Sequence, residues 1–118
     1  MNLNPHTCHI LVVDDDPRNR KLLEEYLLGA GYDVRLAADG RTALAMAAER
    51  PPDLVLLDVM MPDLSGLEVC RQLKNDPRTR LCQVVLVTAL DASPHRVEGL
   101  DKGADDYIAK PVRREEFM

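Results

Sequence analysis

No apolar run in this 118-residue sequence could cross a bilayer; runs such as Val84 to Val87 fall far short of the roughly 20 residues a spanning helix needs. Cysteine is scarce. Cys8, Cys70 and Cys82 are odd in number and share no CxxC spacing, which argues against a disulfide framework and for a reducing compartment. Basic charge is not in excess either: 15 Lys and Arg face 20 Asp and Glu, a formal net charge of -5. A surface that neutralises nucleic-acid phosphates needs the opposite balance. The opening MNLNPHTCHI lacks the basic-then-apolar order of a secretory signal. Internal repeats, linkers and low-complexity tracts are also missing. The expectation is a cytoplasmic domain with no membrane contact and no direct nucleic-acid contact.

What is present is a core. Apolar residues make up 46% of the chain, and the length fits one domain of ordinary size. Short apolar runs alternate with amphipathic stretches. Ile10–Val13, Leu54–Leu57 and Val84–Val87, with a shorter run at Tyr107–Ala109, are continuous, as strands covered on both faces are. Asp33-Val34-Arg35-Leu36 alternates instead, which suits a sheet edge. Between them lie helix patterns with inward stripes at Leu23, Tyr26 and Leu27, at Ala43, Leu44 and Ala47, at Leu67, Cys70 and Leu73, and at Val97 and Leu100. Asp16-Pro17 and Ser93-Pro94 each join an N-cap to a proline at the first helical position, and Gly29, Gly31 and Gly103 supply stops. Strand–helix alternation with short links predicts an α/β domain, a parallel sheet sandwiched between helices.

In such a sheet ligands bind beyond the carboxyl ends of the strands, so the residues that follow each apolar run matter most. They are Asp14, Asp15 and Asp16, then Asp58, then Thr88, then Lys110-Pro111. Asp16 is sufficiently explained as a helix cap. Asp14, Asp15 and Asp58 are not, because carboxylates about 4 Å apart repel by roughly 4 kcal/mol at an effective dielectric of 20. A proton or a hard divalent cation must relieve them, and Mg2+, which keeps waters and bridges to phosphoryl oxygens, fits best. Lys110 would add an ammonium and Thr88 a hydroxyl, the groups that stabilise charge on a phosphoryl in transfer. Asp58 could be the nucleophile, since carboxylates form acyl phosphates, and the loop 59–66 could bring a backbone carbonyl to the same metal.

These residues strongly resemble the receiver domains of two-component response regulators. The carriers are ILVVDDD (10–16), PDLVLLDVMMPDLSGLEVC (52–70), VVLVTA (84–89) and GADDYIAKP (103–111), in order and suitably spaced. The resemblance implies a flavodoxin-like three-layer sandwich with five parallel strands in the order 2-1-3-4-5. It implies that Asp58 takes a phosphoryl group from a phosphohistidine of a sensor histidine kinase or phosphotransfer protein. Asp15, Asp58 and the Met60 carbonyl would bind Mg2+, with Asp14 acting partly through water. Lys110 and the Ala89 N–H would contact the phosphoryl, Thr88 would swing towards it, and Tyr107 would turn inward behind Thr88. The Lys110-Pro111 peptide is expected to be cis. The chain would be a phosphoacceptor and not a turnover enzyme, and its fourth-helix/fifth-strand face would act on an output domain, a separate effector or a second copy. The apolar Met60 and Leu90, two residues after Asp58 and Thr88, predict an acyl phosphate lasting minutes or longer.

On this reading residues 1–8 are a tail and 9–118 the receiver. Arg113 to Met118 supply little more than one turn of a fifth helix, so a piece of a longer regulator, or a partner covering that edge, is expected. The wording VCRQLKNDPRTR and VTALD looks most like receivers that head cyclic-di-GMP synthases. Arg18, Arg20 and Lys21 read as a solvated helix face, which in this family helps dock the kinase. Two other readings remain. A haloacid-dehalogenase-like phosphatase would use Asp14 and Asp16, but it leaves Asp58 and its loop unexplained. A phosphate-independent interaction module would keep the fold and discard the chemistry.

Overall fold

The computed structural model describes residues 8–88 and 103–109. In chain order they form β1 (His9–Val13), α1 (Pro17–Gly29), β2 (Asp33–Ala37), α2 (Gly40–Glu49), β3 (Leu54–Asp58), α3 (Gly66–Asn75), β4 (Gln83–Thr88) and β5 (Asp106–Ala109). The expected fourth-helix stripe at Val97 and Leu100, the Ser93-Pro94 start and the turn at 113–118 lie outside the described residues.

All five strands run parallel in the order β2-β1-β3-β4-β5. This is the flavodoxin-like arrangement, and the alternating strand of the sequence, β2, lies at its edge as expected. Successive strand side chains point to opposite faces, and the two faces meet different helices. Leu11, Val13, Val55, Leu57, Val84 and Leu86 pack with Ala43 and Ala47 of α2 and with Leu67, Val69, Cys70 and Leu73 of α3. Ile10, Val12, Leu54, Leu56, Val85 and Val87 pack with Leu23 and Leu27 of α1. Each fully buried Leu, Val or Ile contributes about 1.5–3 kcal/mol, so continuous apolar strands are what a sheet covered on both sides requires.

Caps set where the helices begin. The Asp16 carboxylate accepts the Arg18 N–H and Pro17 occupies the first turn of α1. Asp39 accepts the Thr42 N–H ahead of α2, and Ser65 accepts the Glu68 N–H ahead of α3. After α1 the chain turns at Gly31, whose φ of 94° favours glycine. All three cysteines are free and buried, and burial pushes the Cys70 thiol up to about 11.

At the strands' amino ends a polar network closes the sheet. The His9 N–H donates to Asp53 Oδ2 at 2.7 Å, and Arg35 Nε donates to His9 Nε2 at 2.9 Å. Arg35 also reaches the Arg50 carbonyl at 2.8 Å, near the end of α2. Among the described residues no helix is long and apolar enough to cross a membrane.

Candidate functional site

The sheet's register brings the acids together. Val13 pairs with Leu57, and Asp58 pairs with Val87. Asp14, which directly follows β1, therefore lies beside Asp58, the last residue of β3. Carboxylate oxygens of Asp14, Asp15 and Asp58 all lie within 4.8 Å of one another. Asp14 is 1% exposed and Asp58 4%, whereas Asp15 is exposed. Two buried carboxylates and one open to solvent, all hard oxygen donors, fit a hard divalent cation that keeps part of its water shell.

Backbone groups fix this arrangement. The Asp16 N–H donates to Asp14 Oδ1 at 2.9 Å, and the Asp14 N–H donates to the Ala37 carbonyl at 3.2 Å. The Met60 N–H donates to Asp58 Oδ1 at 3.3 Å. Beyond Asp58 the loop is anchored twice, by the Val59 N–H on the Val87 carbonyl at 3.1 Å and the Gly66 N–H on the Val59 carbonyl at 3.0 Å. Met60 itself projects outward, 62% exposed.

Thr88 closes β4 and is buried. It pairs with Ala109, while Leu86 pairs with Tyr107, so Thr88 and Tyr107 share one face of the sheet. Tyr107 is half-buried and packs against the core beneath α2 and α3. Ala89, Leu90 and Lys110 lie outside the described residues, as does the Lys110-Pro111 peptide. Asp16 stands apart from the trio: its side chain is exposed and engaged as the α1 cap. That removes the second carboxylate a phosphatase of the haloacid-dehalogenase type would need.

Two supporting contacts were not read from the sequence. Asp63 receives the N–H groups of Gly40 and Arg41, both at 3.3 Å, which ties the loop after Asp58 to the start of α2. Desolvation pushes the Asp63 carboxyl up, but the N–H donors of Leu64, Gly40 and Arg41 together hold it below its usual value. Arg20 leaves the expected solvated face, and its guanidinium donates to the Asp14 carbonyl at 2.7 Å. Neither contact follows from helical periodicity, because each spans two elements or a loop and a helix.

A sequence model of the response regulator receiver domain matches residues 10–118. Response regulator PleD of Caulobacter vibrioides is 54% identical over 106 residues, covering 90% of this chain and 23% of PleD. The chain thus spans under a quarter of that relative's length. Chemotaxis response regulator CheY4 of Vibrio cholerae superposes with a TM-score of 0.88 at 31% identity, covering 93% of this chain and 92% of CheY4. The receiver domain of sensor histidine kinase PA1611 from Pseudomonas aeruginosa superposes at 0.85 with 34% identity, covering 92% and 89% of the two chains, and carries a magnesium ion in its active-site cleft. Family match, strand order and the acidic rim agree, and the chain belongs to the response regulator receiver domains of two-component signalling.

Proposed function

We propose that Asp58 is the phosphoacceptor and that Asp14, Asp15, Asp58 and the Met60 carbonyl hold Mg2+ beside it. The observation that carries this reading is the convergence of three carboxylates within 4.8 Å, two of them buried. At that spacing each pair repels by roughly 3–4 kcal/mol at an effective dielectric of 20, an arrangement that suits a resident cation. When bound, Mg2+ supplies charge neutralisation for the carboxylates and for the phosphoryl oxygens.

The chain's own residues do the rest. One Asp58 carboxylate oxygen forms a bond to phosphorus while the bond from phosphorus to the donor's histidine nitrogen breaks. The imidazole leaves with that electron pair and takes up a proton. The Met60 N–H on Oδ1 orients the carboxylate for that attack. Lys110 and the Ala89 N–H neutralise and bind the phosphoryl oxygens, and Thr88 follows as a hydroxyl donor. The new partners of Thr88 change what lies above Tyr107 on the same sheet face, which repacks the side of β5 and the segment before it. A shift from 1:99 to 99:1 needs about 5.5 kcal/mol, within reach of a few charge-assisted hydrogen bonds.

On this reading residues 9–118 form the receiver and 1–8 precede it, with Cys8 packed into the core beside Leu23 and Leu27. The donor is a sensor histidine kinase or phosphotransfer protein in the cytoplasm, and the repacked face acts on an output domain, an effector or a second copy. The chain takes up phosphate once per cycle and is not a turnover enzyme. Incubation with phosphoramidate and Mg2+ tests this. One phosphoryl per chain, absent in Asp58→Asn and with chelator, is expected. Continuous phosphate release at enzymatic rates, retained by Asp58→Asn, would restore the phosphatase reading, and absence of any label would leave a phosphate-independent module.

A further inference from the structure

Arg20 begins the second turn of α1, where its own N–H donates to the Asp16 carbonyl at 3.0 Å. Its half-buried side chain turns back along the helix, and Nη1 donates to the Asp14 carbonyl at 2.7 Å. That oxygen belongs to the peptide joining Asp14 to Asp15, the buried and the exposed member of the carboxylate trio. A peptide unit is planar, so holding its oxygen also sets the Asp15 N–H and the direction in which the Asp15 Cα leaves. The Asp14 side of that peptide is already fixed by the Ala37 carbonyl and the Asp16 N–H. Asp15, open to solvent, gains most from the clamp.

We infer that Arg20 is a positioning residue for the metal site, setting the Asp14–Asp15 peptide and through it the Asp15 carboxylate. The inference rests on the Mg2+ reading of the trio. Arg20 acts on that site in two ways of opposite sign. Its charge opposes cation binding, so if charge were its whole effect, removal would tighten Mg2+. Its hydrogen bond organises a ligand, so removal should loosen Mg2+ instead. Groups that orient metal ligands typically cost about 10–100-fold in affinity when lost. A half-exposed clamp on one of three carboxylates belongs at the lower end.

Calorimetric titration of the chain with MgCl2 separates the two. Arg20→Met, which keeps the stem but loses charge and donor, should bind Mg2+ about tenfold more weakly. Arg20→Lys, which keeps a cationic donor on a long stem, should recover most of that loss. Arg20→Gln, a neutral donor, should fall between them and carries the comparison if Arg20→Met does not fold. In phosphoramidate labelling the Mg2+ requirement of Arg20→Met should rise similarly, while its rate at saturating Mg2+ stays near that of the unsubstituted chain. Affinity in Arg20→Met or Arg20→Gln equal to or tighter than in the unsubstituted chain would overturn the inference. Absence of Mg2+ binding by the unsubstituted chain would instead overturn the metal reading on which it rests.

Discussion

Gly66 lies directly against the backbone of Asp58: a Cβ built on Gly66 would stand 2.1 Å from the Asp58 carbonyl oxygen and 2.8 Å from its carbon. The start of α3 is thereby pressed onto the end of β3, and the intervening loop must fold back over the acidic rim. Because the obstructing atoms are backbone, no side-chain rotation can relieve the clash. Overpacking of a tight site costs about 1–3 kcal/mol, and backbone contact places Gly66→Ala at or above the upper figure. Urea unfolding should show this loss, and phosphoryl uptake should fall with it as Asp58 shifts. Unchanged stability and uptake would mean that the loop is not held against Asp58.

His9 makes stability depend on pH at the opposite end of the strands. Burial, then the Arg50 and Arg35 charges, lower its pKa from the usual 6.5 despite the opposing Asp33 and Asp53. Arg35 Nε donates to Nε2, which places the ring proton on the buried Nδ1. The unfolded chain therefore binds a proton that the folded one resists. The neutral ring's contribution is fully present above pH 6.5 and is lost as pH falls from there towards the lowered folded value. Between pH 6.5 and 5 the unsubstituted chain should lose more stability in urea than His9→Gln, which keeps an acceptor for Arg35. Parallel pH curves would contradict this.

Lys74 links α3 to the approach to β5. Its Nζ donates to the Cys82 carbonyl at 2.6 Å and to Asp105 Oδ2 at 2.9 Å, and the same carboxylate oxygen accepts the Val84 N–H at 2.7 Å. With Asp105 partly exposed, the ion pair itself is worth little, so most of the effect lies in the hydrogen bond to Cys82. Lys74→Met should destabilise by about 1–2 kcal/mol in urea unfolding. A value near zero would show that the link is only a surface contact.

Met60 bears on how long phosphate stays. Its side chain is exposed beside the rim and is apolar, so it cannot position an attacking water. Met60→Glu or Met60→Asn should shorten the lifetime of labelled protein severalfold, read as loss of label after the donor is removed. An unchanged lifetime would place the protection elsewhere.

The fold was legible because its three central strands carry no polar interruption: Ile10–Val13, Leu54–Leu57 and Val84–Val87 are continuous and each is bounded by polar residues. The trio was legible for the same reason, since acids that follow buried strands share one rim once the strands are parallel. β3 and β4 extend one residue further than their apolar runs, so Asp58 and Thr88 end strands instead of following them. The supporting contacts were not legible. Arg20 on Asp14, Asp63 on α2 and Lys74 on Asp105 depend on how side chains cross between elements, and periodicity records only which face a residue occupies. Tyr107 illustrates the limit: its packing against the core could be read as ordinary amphipathicity, and its shared face with Thr88 is what links it to the site among the described residues.

The most direct measurement is chemical location of the phosphoryl group. After incubation with phosphoramidate and Mg2+, borohydride reduces an aspartyl phosphate to homoserine, which peptide mass mapping identifies by position. Homoserine is expected at position 58 alone, and none when Mg2+ is chelated. Homoserine at position 14 or 15, or conversion at 58 that is indifferent to Mg2+, would contradict this.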